Sequence, residues 1–87
     1  MKVELYTRPL CGFCDAAKRL LDQKRIAYVT YDIWEDSQHL DAMKRRNPGA
    51  RTVPQIFIND HAIGGYDDLQ GLDLDDQTAL EKAFAPA

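Results

Sequence analysis

Cys11 and Cys14 are the only cysteines of this 87-residue chain, and Gly12 and Phe13 stand between them. A Cys-x-x-Cys pair can be a structural disulfide, half of a metal site, or a reversible dithiol. As a staple, so short a loop would restrict the unfolded chain by only about 2 kcal/mol. A zinc ribbon needs a second pair of ligands, whereas His39 and His61 are unpaired in the sequence. A c-type haem site needs His directly after the second cysteine, where this chain has Asp15. The chemistry favours the dithiol. Its nucleophile is a thiolate, and an ordinary thiol, with a pKa of about 8.5, is mostly protonated at neutral pH. The elements around the pair must therefore ionise one sulfur and hold the other within reach.

A strand followed by a helix does this. Lys2 to Thr7 alternates as a strand, with Val3 and Leu5 on one face and Glu4 and Tyr6 on the other. Pro9 stops it. From Gly12 to about Arg25 the period becomes helical, with Phe13, Ala17, Leu20, Leu21 and Lys24 recurring at three- and four-residue steps. Lys18, Arg19 and Asp22 take the wet side. Cys11 then sits at the N-cap or just before it, facing unpaired N–H groups and the positive end of the helix dipole. Arg8 adds a fixed charge three residues upstream. The expected helix puts Cys11 at an exposed tip and Cys14 one turn in, near the buried stripe, where it can attack a disulfide formed on Cys11.

Ile26 to Ile33 is a second strand, rich in β-branched and aromatic residues, and closes a right-handed βαβ unit with parallel strands. Trp34 to Asp36 is a break. Asp36 or Ser37 caps a helix to about Arg46, with Leu40 and Met43 facing inward, and Asn47-Pro48-Gly49 ends it. Lys44, Arg45, Arg46 and Arg51 form a basic cluster that serves either as dipole partners on a solvated face or as a receiver of an anionic ligand. Thr52 to Asn59 is a third strand, with Ile56 and Ile58 on one side and Phe57 on the other. Asn59-Asp60 turns it into an antiparallel edge strand, His61 to Ile63. Gly64-Gly65 breaks the chain. Asp67 or Asp68 caps a short helix to about Leu72. Leu74 to Phe84 is a last amphipathic helix with Gln77, Leu80 and Phe84 inside. The result is an α/β chain of order βαβ-α-ββα, with a four-stranded mixed sheet flanked by helices.

The length fits one domain over residues 1–87, and 45% apolar with 29% charged residues is the balance of a soluble globular protein. A net charge of −3 speaks against nucleic acid as the main partner. No apolar run reaches membrane-spanning length, and Met1-Lys2 leads straight into a strand, so the expectation is no signal peptide, no membrane and a cytoplasmic, reducing location.

Three motifs in order, Tyr6-Thr7-Arg8 through Cys11-Gly12-Phe13-Cys14, Thr52-Val53-Pro54-Gln55-Ile56-Phe57-Ile58 and Ile63-Gly64-Gly65-Tyr66-Asp67-Asp68-Leu69, resemble those of the glutaredoxin family, nearly end to end. The resemblance implies a thioredoxin-like fold, a cis Val53-Pro54 bond facing the dithiol, and Cys11 and Cys14 as catalytic residues. It implies a glutathione site of Arg8, Cys11, Phe13, Thr52, Val53, Pro54, Gly65, Tyr66 and Asp67. Within it the free backbone of Val53 pairs with the tripeptide as with another strand. The Tyr66 and Asp67 N–H groups suit the γ-glutamyl carboxylate, and the Asp67 carboxylate suits its ammonium. Arg8 faces the glycine carboxylate, and Phe13 forms an apolar wall. The implied function is glutathione-dependent reduction of glutathionylated and disulfide-containing proteins by a monomer.

The chain departs from the commonest dithiol motif of that family, with Gly12 for Pro and Phe13 for Tyr. A Gly-Phe pair is also found in monothiol relatives that hold a [2Fe–2S] cluster, although those carry Ser at the Cys14 position and an additional loop. One alternative is therefore cluster transfer by two chains bridged through Cys11 and glutathione. Another is an electron donor to ribonucleotide reductase, itself reduced by thioredoxin reductase, against which Gly65-Tyr66-Asp67-Asp68 argues.

Overall fold

Val3–Thr7 is buried along its whole length because it is an inner strand of the sheet, paired on both edges. This strand, β1, is seen in a computed structural model that describes residues 1–86. After it come α1 (Gly12–Gln23), β2 (Val29–Asp32), α2 (Ser37–Arg46), β3 (Gln55–Ile58), β4 (His61–Gly64), α3 (Tyr66–Gln70) and α4 (Gln77–Ala83). The sheet order is β2-β1-β3-β4. β2 runs parallel to β1, with Glu4 opposite Val29, while β3 runs antiparallel to β1 and β4 antiparallel to β3. The mixed four-stranded sheet flanked by helices is the architecture expected from the residue periods.

Strand alternation divides the core in two. Val3, Leu5, Ile56 and Ile58 face Ala17 and Leu21 of α1, Leu69 of α3 and Leu80 of α4. Tyr6 and Phe57 face Met43 of α2 and Ala50 on the other side. Truncating a side chain such as Leu21, which is 1% exposed, would cost about 2–5 kcal/mol.

Several boundaries differ from the sequence expectation for local reasons. β2 starts at Val29 rather than Ile26 because α1 ends in a Schellman turn. Arg25 takes a left-handed φ of 57°, its N–H donates to the Asp22 carbonyl, and the Ile26 N–H donates to that of Leu21. No glycine marks this stop. Lys24 does not join the apolar stripe but pairs with Asp75 at 2.9 Å, and Phe13 also lies outside the core. α4 begins at Gln77, which is exposed rather than inward, because the Asp76 carboxylate caps the helix by accepting from the Ala79 N–H at 3.0 Å. The hairpin turn is as expected, with φ of 47° at Asn59 and 69° at Asp60.

The basic cluster also divides. Arg46 leaves solvent and crosses to the sheet, where its guanidinium donates to both Glu4 carboxylate oxygens at 2.9 and 3.2 Å. It also reaches the Tyr6 hydroxyl at 3.1 Å and lies 4.1 Å from the Phe57 ring centroid. The Tyr31 hydroxyl donates to the same carboxylate at 3.0 Å. Burial alone would push the Glu4 carboxyl up. The hydrogen bonds from Arg46 and Tyr31, with the charges of Arg46 and Lys2, outweigh it and hold the carboxyl below its usual range.

Candidate active site

The loop from β1 to α1 carries Cys11 to the helix N-cap. Leu10 turns the chain with a φ of 56°, and Cys11 follows in an extended conformation. The Cys11 carbonyl accepts the first helical bond, from the Asp15 N–H at 3.1 Å. The Cys11 sulfur accepts from the Cys14 N–H at 3.2 Å, as a capping oxygen would. The N-cap placement read from the sequence is therefore found, with the sulfur at the positive end of the helix.

The exposed tip is not found. Cys11 is only 6% exposed and Cys14 is fully buried, and the two form a disulfide. That bond ties the Cys11 sulfur to the buried one, and the Val53 carbonyl oxygen lies 3.7 Å from the Cys11 sulfur. The two cysteines and the Val53 backbone thus meet at one point, as the resemblance implied. Val53-Pro54 is cis.

Around that point the surface is hollowed. A groove of about 690 Å³ runs from Phe13 past Thr52, Val53 and Pro54 to Gly65, Tyr66 and Asp67. The Phe13 and Tyr66 rings, both in its lining, stack with centroids 6.0 Å apart and planes 28° apart. Gly64 has a φ of +116° and runs so close to the Asp68 carboxylate that a Cβ there would collide with it. Asp68 in turn accepts from the Gly65 N–H at 2.9 Å. Gly65 is thus the N-cap of α3, and neither aspartate named from the sequence is. Asp68 braces the turn, which leaves the exposed Asp67 carboxylate on the groove.

Of the residues singled out from the sequence, Phe13, Thr52, Val53, Pro54, Gly65, Tyr66 and Asp67 line this groove, and Cys11 adjoins it at Val53. Arg8 does not line it. Its guanidinium donates to the carbonyls of Pro9 at 2.9 Å and Leu10 at 3.3 Å and lies 5.2 Å over the Trp34 ring. There it lines a second hollow of about 420 Å³, which shares Ala50, Arg51, Thr52 and Val53 with the first. Sequence reasoning passed over Gln55 and Asn47. The Gln55 amide donates to the Thr52 carbonyl at 2.8 Å and accepts from the Asn47 side chain at 3.3 Å, which anchors the segment before Pro54 to the end of α2. A polar residue opening an otherwise apolar strand was the available signal. Among the described residues, no cluster of three or more His, Cys, Asp or Glu side chains is placed to hold a metal ion. Likewise among them, no helix is long and apolar enough to cross a membrane.

The glutaredoxin family model matches residues 3–63. A probable glutaredoxin of Synechocystis sp. is 53% identical over 72 residues, which is 83% of this chain and 66% of that protein. Glutaredoxin 3 of Escherichia coli (strain K12) is 42% identical over 71 residues, 82% of this chain and 84% of that protein. The crystal structure of a buckwheat glutaredoxin–glutathione complex superposes with a TM-score of 0.76 at 29% identity, covering 98% of this chain and 81% of that one.

Proposed function

This chain belongs to the glutaredoxin family of thiol–disulfide oxidoreductases, and we propose that it works with glutathione through a nucleophilic Cys11. The observation that carries this reading is the meeting of three features at one point. The capped Cys11 sulfur lies 3.7 Å from the Val53 carbonyl, and Val53 lines a groove that ends at Gly65–Asp67. The groove has a volume of about 690 Å³, in the range of small-ligand sites. Its lining suits the charges of glutathione, with Asp67 and the Tyr66 N–H for the γ-glutamyl end, and Arg51, joined by Arg8 from the adjoining hollow, for the glycine carboxylate. Phe13 forms the wall between, and Thr52, Val53 and Pro54 the floor. The glutathione bound by the buckwheat relative supports the same reading.

In the reaction the Cys11 thiolate attacks the glutathione sulfur of a protein–glutathione disulfide. A Cys11–glutathione bond forms, the protein–glutathione bond breaks, and the protein thiolate leaves and takes up a proton. A second glutathione, as thiolate, attacks the sulfur of the bound one, so that glutathione disulfide leaves and the Cys11 thiolate returns. With a protein disulfide, Cys11 forms the mixed disulfide and Cys14 resolves it. Two electrons pass to the substrate, and the Cys11–Cys14 disulfide is left for two glutathiones to reduce.

The test is turnover of a glutathionylated peptide with glutathione as the only reductant, compared with thioredoxin reductase and NADPH. Glutathione should support turnover. Turnover with thioredoxin reductase alone would reverse the assignment. Cluster transfer would use the same Cys11 and groove in a pair of chains, and visible absorbance of anaerobically purified protein distinguishes it.

A further inference from the structure

Trp34 is the only tryptophan of the chain, and it stands 63% exposed in the break before α2. The Asp32 carboxylate fixes that break by accepting from the Trp34 N–H at 2.8 Å and the Glu35 N–H at 3.2 Å. Arg8 lies 5.2 Å over the indole and bonds the carbonyl of Leu10, the residue before Cys11. Leu10 is itself 93% exposed, in the left-handed conformation that bulky residues avoid. Neither Trp34 nor Leu10 packs into either core cluster, so folding does not use them. Two large apolar side chains are thus held in water, Leu10 directly before Cys11 in the chain and Trp34 over Arg8.

The hollow at Trp34 is charged with one sign. Arg8, Lys44 and Arg51 line it and no carboxylate does. Among the described residues, none of these three cations forms an ion pair. The chain as a whole carries −3, so this local excess runs against the net charge. The glycine carboxylate of glutathione neutralises one of the three, which leaves two.

We propose that Trp34, Leu10 and this cationic hollow form the docking face for the polypeptide half of the mixed disulfide. The face selects cysteines flanked by an acidic and an aromatic or large aliphatic residue. This rests on the glutathione reading above. The two hollows meet at Arg51–Val53, beside the Cys11 sulfur, so a substrate whose glutathione occupies one presents its polypeptide to the rim of the other. The apolar flank covers the indole, while the acidic flank meets the unpaired cations and is steered toward them.

The test uses three glutathionylated substrates: a short peptide with Asp and Phe beside its cysteine, the same peptide with Lys for Asp, and cysteine–glutathione disulfide, which has no polypeptide. KM for the Asp–Phe peptide should be about fivefold below that for the Lys–Phe peptide in the wild-type protein. Trp34→Ala should raise KM for both Phe-containing peptides about fivefold, with kcat unchanged and with cysteine–glutathione disulfide unaffected. Leu10→Asn, which tolerates the left-handed backbone, should act the same way. Equal KM for the two peptides in the wild-type protein overturns the docking face alone, as does a Trp34→Ala effect equal for all three substrates. Turnover of none of them overturns the glutathione reading and this one with it.

Discussion

The backbone N–H of Cys14 points at the Cys11 sulfur from 3.2 Å. In the reduced protein the same N–H faces a thiolate better than a thiol, and the helix dipole acts in the same direction. The Cys11 thiol should therefore titrate below the ordinary value of about 8.5. The pH dependence of iodoacetamide alkylation in Cys14→Ser, where Cys11 is the sole thiol, measures it. A midpoint at or above the ordinary value contradicts the electrostatic role given to the helix.

The Arg46–Glu4 pair joins α2 to β1 with the carboxylate only 5% exposed. Arg46→Leu leaves that carboxylate buried without its main partner and should cost about 3 kcal/mol or more in urea unfolding. The pH dependence follows from the same contact. The Glu4 carboxyl is held below its unfolded value, so its contribution is complete above that value, about 4.3. It is lost as pH falls through the lower, folded value. Stability of the wild-type protein should fall across that acid range, and Glu4→Gln should flatten the fall. Identical acid limbs in the two proteins would show that another group governs it.

Asp67 and Asp68 are adjacent but should behave differently. Asp67→Ala removes the one carboxylate proposed to meet the γ-glutamyl ammonium, an interaction of the charge-assisted kind worth about 1.5–3 kcal/mol. KM for glutathionylated substrate should rise at least about tenfold, with thermal stability little changed. Asp68→Ala removes the brace on the Gly65 N–H and should lower stability by about 1 kcal/mol. Steady-state kinetics and thermal melts on both variants separate the two roles.

The sequence carried the parts of this molecule that depend on near neighbours. Cys11 at the N-cap, the Asn59-Asp60 turn and the alternation of Ile56, Phe57 and Ile58 are consequences of local spacing, and each is found. Contacts made across the fold were not legible. Nothing local distinguishes Arg46 from Lys44 and Arg45, yet only Arg46 stands opposite Glu4, 42 positions away. Cys11 is likewise met by the Val53 carbonyl, a partner 42 positions away. The late start of β2 was missed because Arg25 occupies a turn position where glycine is the usual signal. Trp34 was read only as part of a break, since its exposure and its stack on Arg8 emerge once β1 and the end of β2 lie side by side.

The division of labour between the two sulfurs is tested most directly by intact-protein mass spectrometry during turnover of a glutathionylated peptide by Cys14→Ser and Cys11→Ser. Cys14→Ser should gain one glutathione on Cys11, continue to turn the peptide over, and lose the ability to reduce protein disulfides, while Cys11→Ser should do none of these. Equal loss of peptide turnover in both variants, or a glutathione adduct carried by Cys11→Ser on Cys14, would contradict the assignment of Cys11 as the attacking sulfur.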